Sequence, residues 1–161
     1  MTKSTIHTVL ALAVALGAIT WAHAQQRTPT RSLTTQDYID IQQLYARYNQ
    51  TLDRRDAEGW AGTFTADGTF NDLTGHDALV GFVKERQGDG ARRRHWNSNL
   101  LITGTPKGAS ASVYLLLFDT GVKQSVVATS GRYEDTLVKT SQGWRFKKRV
   151  TEIDVAAPAR Q

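Results

Sequence analysis

The sequence contains no cysteine, which excludes disulfide staples, thiolate nucleophiles and any cofactor or metal held through sulfur. Burial and hydrogen bonding must hold the fold alone. After the first two dozen residues no apolar run approaches the roughly 20 residues that a membrane-spanning helix needs. No two histidines share a ligand-like spacing and no carboxylate cluster accompanies them, so no metal site is expected. A P-loop, a dinucleotide fingerprint and a nucleophile elbow are all missing, as are internal repeats. No cofactor is expected, and the chemistry open to the chain is that of its own side chains.

What is present begins with "MTKSTIHTVLALAVALGAITWAHAQQ". Lys3 precedes an apolar stretch from Val9 to Ile19, and small residues Ala22 and Ala24 flank His23, which is the layout of a secretory signal peptide over residues 1–24. Cleavage after Ala24 makes the product periplasmic or secreted and leaves residues 25–33, "QQRTPTRSL", as a polar tether. The chain has 161 residues, room for one domain with a real core, placed at 34–156. The formal charge is +5, and the basic residues are scattered rather than gathered into a stripe, so no nucleic-acid partner is expected.

Thr34 or Thr35 can cap a first helix in which Ile41, Leu44, Tyr45, Tyr48 and Leu52 recur at helical spacing. Asp56 can cap a short second helix running through Trp60 and Phe64, and "ADGTF" supplies a turn and a strand around Phe70. His76 to Gln87 reads as a third helix. Four extended runs follow, Arg93 to Thr103, Ala109 to Asp119, Lys123 to Thr140 and Gly143 to Val155, joined by short glycine-containing turns. The class is α+β, with helices first and a curved antiparallel sheet that buries one face on them. "VYLLLF", Val113 to Phe118, is apolar on both alternate faces, so the outer one wants cover, and a homodimer is expected there.

One strand is unusual. In "RRRHWNSNLLI" alternation puts His95, Asn97, Asn99 and Leu101 on one face and Trp96, Ser98, Leu100 and Ile102 on the other. The polar face would be solvent unless another element turns it into a cavity wall. Asp53 ends the first helix, where the helix dipole disfavours a carboxylate. A carboxylate on one imidazole nitrogen makes the other a better base, and a phenol such as Tyr48 can hydrogen-bond a developing oxyanion. Asp53, His95 and Tyr48 are thus a sufficient set for moving protons beside a carbonyl.

The stretches "LYARYNQTLDRRDAEGWAGTFTADGTF", "GHDAL", "RRHWNSNLLI", "ASASVYLLLF" and "GWRFKKRV" together resemble the SnoaL-like branch of the nuclear transport factor-like superfamily, which holds ketosteroid isomerase, scytalone dehydratase, polyketide cyclases and the bile acid 7α-dehydratase. The resemblance implies a cone-shaped α+β barrel, a bent sheet wrapped around helices with a pocket inside. The pattern Tyr, four residues, Asp, then a His opening a strand falls on Tyr48, Asp53 and His95, which become catalytic candidates. The same likeness makes Asn99, Tyr114, Trp60 and Phe64 candidates for substrate contact. Two departures are visible: a second histidine of scytalone dehydratase falls on Tyr114, and a late arginine of the bile acid enzyme falls on Ile153. The implied activity is a cofactor-independent lyase, dehydratase or isomerase acting on a small, hydrophobic ring compound. Its rivals are a ligand-binding module of the same fold and a dimeric assembly domain with a vestigial pocket.

Overall fold

A computed structural model describes residues 32–88, 90 and 92–154. The expected leader at 1–24, most of the expected tether and the expected end of the domain beyond residue 154 lie outside the described residues. Among those described, no helix is long and apolar enough to cross a membrane.

Helix α1 spans Thr35–Asp53 and is opened by Thr34. The Thr34 hydroxyl accepts the Asp37 backbone N–H, while the Asp37 carboxylate accepts the Thr34 backbone N–H at 3.0 Å, so two helix-end donors are satisfied reciprocally. Ile41, Leu44, Tyr45 and Tyr48 form its buried stripe, as the spacing predicts. Asp56 caps α2, Ala57–Ala61, through the Gly59 backbone N–H at 2.9 Å. This helix stops short of Phe64. The Thr63 carbonyl accepts the backbone N–H of Phe146 on the last strand, so the chain is already committed to the sheet, and Phe64 opens strand β1, Phe64–Phe70. A two-residue β2, Leu73–Thr74, precedes α3, His76–Lys84. The expected extension to Gln87 unwinds into tight turns, in which Arg86 and Gln87 bond three residues back rather than four.

Strands β3 (Arg93–Thr105), β4 (Gly108–Asp119), β5 (Val126–Thr140) and β6 (Gly143–Ile153) make successive hairpins. The six-stranded sheet is unclosed, in the order β2-β1-β6-β5-β4-β3. Its pairing is antiparallel except between β1 and β6, which run parallel. Register slips by a residue or more at four places, between Ser98 and Leu101, Leu117 and Phe118, Thr136 and Leu137, and Phe64 and Thr69. Each bulge adds local twist, and together they bend the sheet around the helices.

The bulge in β3 also reverses its alternation. Ser98 pairs with Tyr114 and Leu101 with Ser112, so Asn99 and Leu100 together face the single residue Val113. Asn99 takes the left-handed conformation, φ 56°, which Asn tolerates better than most residues. Before the bulge His95 and Asn97 are the half-buried residues; after it Leu100 and Ile102 pack against the core, while Asn99 and Leu101 are exposed.

Candidate active site

Asp53 is the last residue of α1, and its carboxylate lies against the start of β3. Oδ1 sits 2.7 Å from His95 Nδ1 and also accepts the His95 backbone N–H at 3.1 Å. Arg94 Nη1 lies 3.9 Å from the second oxygen. The Asp53 side chain is 3 % exposed and that of His95 13 %. Because a carboxylate only accepts, Nδ1 carries a proton, and in the neutral imidazole Nε2 is then the nitrogen with the lone pair. The imidazole is fixed in orientation and tautomer by one group that also holds its backbone.

His95 lines a cavity of about 190 Å³. Leu52, Phe82 and Leu117 supply its apolar wall, and Arg55, Arg86 and Arg93 ring it with positive charge. Arg86 donates to the Phe82 carbonyl at 2.7 Å, and its guanidinium carbon lies 3.7 Å from the centre of the Phe82 ring. Arg55 follows α1 in the left-handed conformation, φ 59°, a helix-ending position that glycine usually fills. On the other side of the pair a more open cleft is bordered by Asn49, whose amide donates to the Asn97 side chain at 2.8 Å. Among the described residues no group of three or more His, Cys, Asp or Glu is placed to hold a metal ion.

The other expected site residues are placed elsewhere. Tyr48 precedes Asp53 by five positions, about 140° around the helix, and points into the core at 0 % exposure. It packs on Trp60, Phe64, Tyr133 and Phe146 at centroid distances of 5.4–5.9 Å. Trp60 and Phe64 are likewise core, not cavity lining. Asn99 is turned outward by the bulge, so it is no pocket residue. Tyr114 is 57 % exposed on the outer face of the sheet, beside its cross-strand neighbour Arg132. Its β4 neighbours Val113 and Leu115 face inward instead.

Two buried charges in the core escaped the reading of the sequence. The Asp135 carboxylate accepts Arg149 Nε and Nη2, each at 2.7 Å, and the Tyr45 hydroxyl as well. The Arg149 guanidinium lies 4.0–4.8 Å from the centres of the Tyr45, Tyr48, Tyr133 and Phe146 rings. Burial alone would lower the Arg149 pKa, but the adjacent Asp135 charge outweighs it and holds the guanidinium well above its ordinary value. Burial, reinforced by Asp135, pushes the Tyr45 phenol up, so it stays a neutral donor. Asp135 left a signal that was missed, since Tyr133, Asp135 and Leu137 share one face of β5. Arg149 was not: a bulge separates Phe146 from Lys148 in the pairing with β5 and shifts the parity that Trp144 and Phe146 establish.

A bent sheet around helices with a histidine-carboxylate pair beside a small cavity defines an α+β protein of the nuclear transport factor-like superfamily. Within it the chain belongs to the SnoaL-like domain family, whose profile matches residues 34–150. Aln2 from a Streptomyces species is similar in structure at 30 % identity, TM-score 0.68, over 76 % of this chain and 94 % of that one. ActVI-ORFA from Streptomyces coelicolor is similar at 25 % identity, TM-score 0.66, over 73 % and 97 %. An NTF2-like protein with a cystatin-like fold from Novosphingobium aromaticivorans, 20 % identical over 77 % of this chain and 86 % of that one with TM-score 0.68, shares the fold. No curated protein matches.

Proposed function

We propose that this chain is an exported, cofactor-independent acid/base enzyme of lyase, dehydratase or isomerase type that acts on a small, largely apolar ring compound. His95 Nε2 takes and returns the proton, and Asp53 holds the imidazole and stabilises the imidazolium that forms. The observation that carries this reading is the 2.7 Å contact between Asp53 Oδ1 and His95 Nδ1, with the imidazole lining a cavity of about 190 Å³. That volume suits a small ring system. Leu52, Phe82 and Leu117 exclude water from one side, which strengthens each polar contact made there.

A general probe of the chemistry is deuterium uptake at the α-carbon of 1-tetralone in D2O, followed by NMR. The intact protein should accelerate it over buffer, and His95→Ala should lose roughly 10²–10⁴ of the acceleration, the usual contribution of a positioned base. Equal rates with and without His95 would end the enzyme reading. The second reading, a ligand-binding module without catalysis, is favoured by the burial of Tyr48 away from the pair. It predicts 1-tetralone binding with no exchange.

A further inference from the structure

The cavity beside His95 carries an imbalance of charge. Three arginines line it, Arg55, Arg86 and Arg93, against the single carboxylate of Asp53. That carboxylate is already occupied, since its side chain is 3 % exposed and accepts both the ring and the backbone N–H of His95. Arg55 has an interaction of its own, whereas among the described residues neither Arg86 nor Arg93 makes an ion pair. Like charges gathered at one opening repel, and an anion seated between them relieves that repulsion.

The two guanidiniums are also placed for a ligand. Arg86 and Arg93 are exposed, while Leu52, Phe82 and Leu117 are half-buried, so the charge lies at the mouth and the hydrocarbon within. Arg86 follows Phe82 by one helical turn, spends one N–H on the Phe82 carbonyl and holds its guanidinium carbon 3.7 Å from the centre of that ring. A guanidinium held this way loses little further freedom when it meets an anion. Arg93 precedes His95 by two positions on β3, ahead of the bulge, so alternation sets both on one face, and both line the cavity.

We propose that Arg86 and Arg93 form a carboxylate-binding rim, and that the cavity takes a ring compound bearing an acid group, the ring against Leu52, Phe82 and Leu117 and the carboxylate at the mouth. Charge selects the acid. Within the lining Asp53 offsets one of the two available cations, so a single further negative charge completes the balance, and a phosphate monoester, nearly doubly charged at neutral pH, would overshoot it. Anchoring the acid group fixes which part of the ring lies beside His95, the orientation that an acid/base step needs. This inference names the substrate class for the proposed function and rests on that reading only in taking the His95 cavity as the ligand site.

The test compares binding of 2-naphthoate with that of its uncharged amide, 2-naphthamide, to the full chain near pH 8, where an ordinary histidine is neutral. Naphthoate should bind about 5- to 20-fold more tightly, between the worth of an exposed ion pair and that of a charge-assisted hydrogen bond. Arg86→Gln and Arg93→Gln should each remove most of that ratio. A variant that merely loosens the apolar wall weakens both probes and leaves the ratio alone. Arg47→Gln, which removes the same charge from the exposed side of α1, should keep it. Should Arg86→Gln fail to fold, the unaltered protein carries the test: raising salt from about 0.01 M to about 1 M shortens the screening length from about 30 Å to about 3 Å and should close most of the gap. Equal binding of the two probes, no binding of either, or a ratio as sensitive to Arg47→Gln as to Arg93→Gln would overturn the rim. A ratio lost in His95→Ala but kept in both arginine variants would put the anion on the imidazole and overturn it too. Exchange into 1-tetralone that depends on His95, with equal probe binding, would sink the rim and keep the proposed function; an arginine-dependent preference for naphthoate, with exchange indifferent to His95, would do the reverse.

Discussion

At the scale of single residues the proposed function divides its labour between two side chains. Asp53→Asn should lower proton exchange in the same direction as His95→Ala, because an amide can hold the ring but cannot stabilise an imidazolium. The double variant should be no slower than about the slower single one, since groups that act as a unit are not additive. Steady exchange rates for the four proteins check this, and additive losses would show two independent roles. Both residues were legible in the sequence: a carboxylate at a helix C-terminus and a histidine where a strand would bury an aliphatic each break a local rule. Asn99 broke the same rule for another reason. It is the left-handed residue of a bulge, and strict alternation cannot register an extra residue. Asn99→Val should therefore destabilise by roughly 1–2 kcal/mol, the cost of forcing a side chain with a branched Cβ into that conformation, and leave exchange by the folded protein unchanged. Thermal unfolding beside the exchange assay would decide it.

At the scale of elements, α1 is docked by its first turn as much as by its stripe. Asp37 is buried, and beyond capping the helix it accepts Lys139 Nζ at 2.8 Å and the Trp144 indole at 3.0 Å. The Lys139 ammonium, aided by the Thr34 backbone N–H and opposed by burial, holds the Asp37 carboxyl far below the usual carboxylate range. A carboxyl whose pKa is lower folded than unfolded adds stability above its unfolded value, about 4, and that stability is lost as pH falls. Acid should thus loosen α1 from β5 and β6. Asp37→Asn should cost roughly 2 kcal/mol at neutral pH, the scale of charge-assisted hydrogen bonds, and flatten the acid limb of a plot of stability against pH. Denaturant unfolding from pH 3 to 7 is the measurement, and an unchanged limb would place the acid sensitivity elsewhere. The stripe and the cap could both be read in advance. The Trp144 and Lys139 contacts could not, because they join residues over a hundred positions apart.

At the scale of the molecule, the outer face of the sheet keeps an apolar row. Trp96 is 63 % exposed, Tyr114 57 % and Leu116 36 %, with Trp96 directly across from Leu116. Beside them Arg132 and Glu152 pair at 2.7 Å. We expect a homodimer through this face, seen by light scattering at micromolar concentration and broken by Leu116→Asp; a monomer in the unaltered protein would refute it. The exported product should begin at Gln25, which intact mass can verify. The order of elements and the sheet-on-helix layout followed from periodicity and turn chemistry. The parallel β1–β6 pairing did not, since a strand that begins inside an expected helix leaves no signal of its partner.

The site histidine stands on β3, the last strand in the sheet order, whose outward backbone donors face no further strand. At His95 that outward N–H is taken by Asp53. Three arginines, Arg92, Arg93 and Arg94, charge the approach to the same stretch. A bare edge is a template on which another chain can add a strand and so begin a fibril. The carboxylate that would ready the imidazole in the proposed reaction thus also closes one rung of the ladder to a stranger, so Asp53→Ala would be expected to leave a protein that is both idle and readier to aggregate.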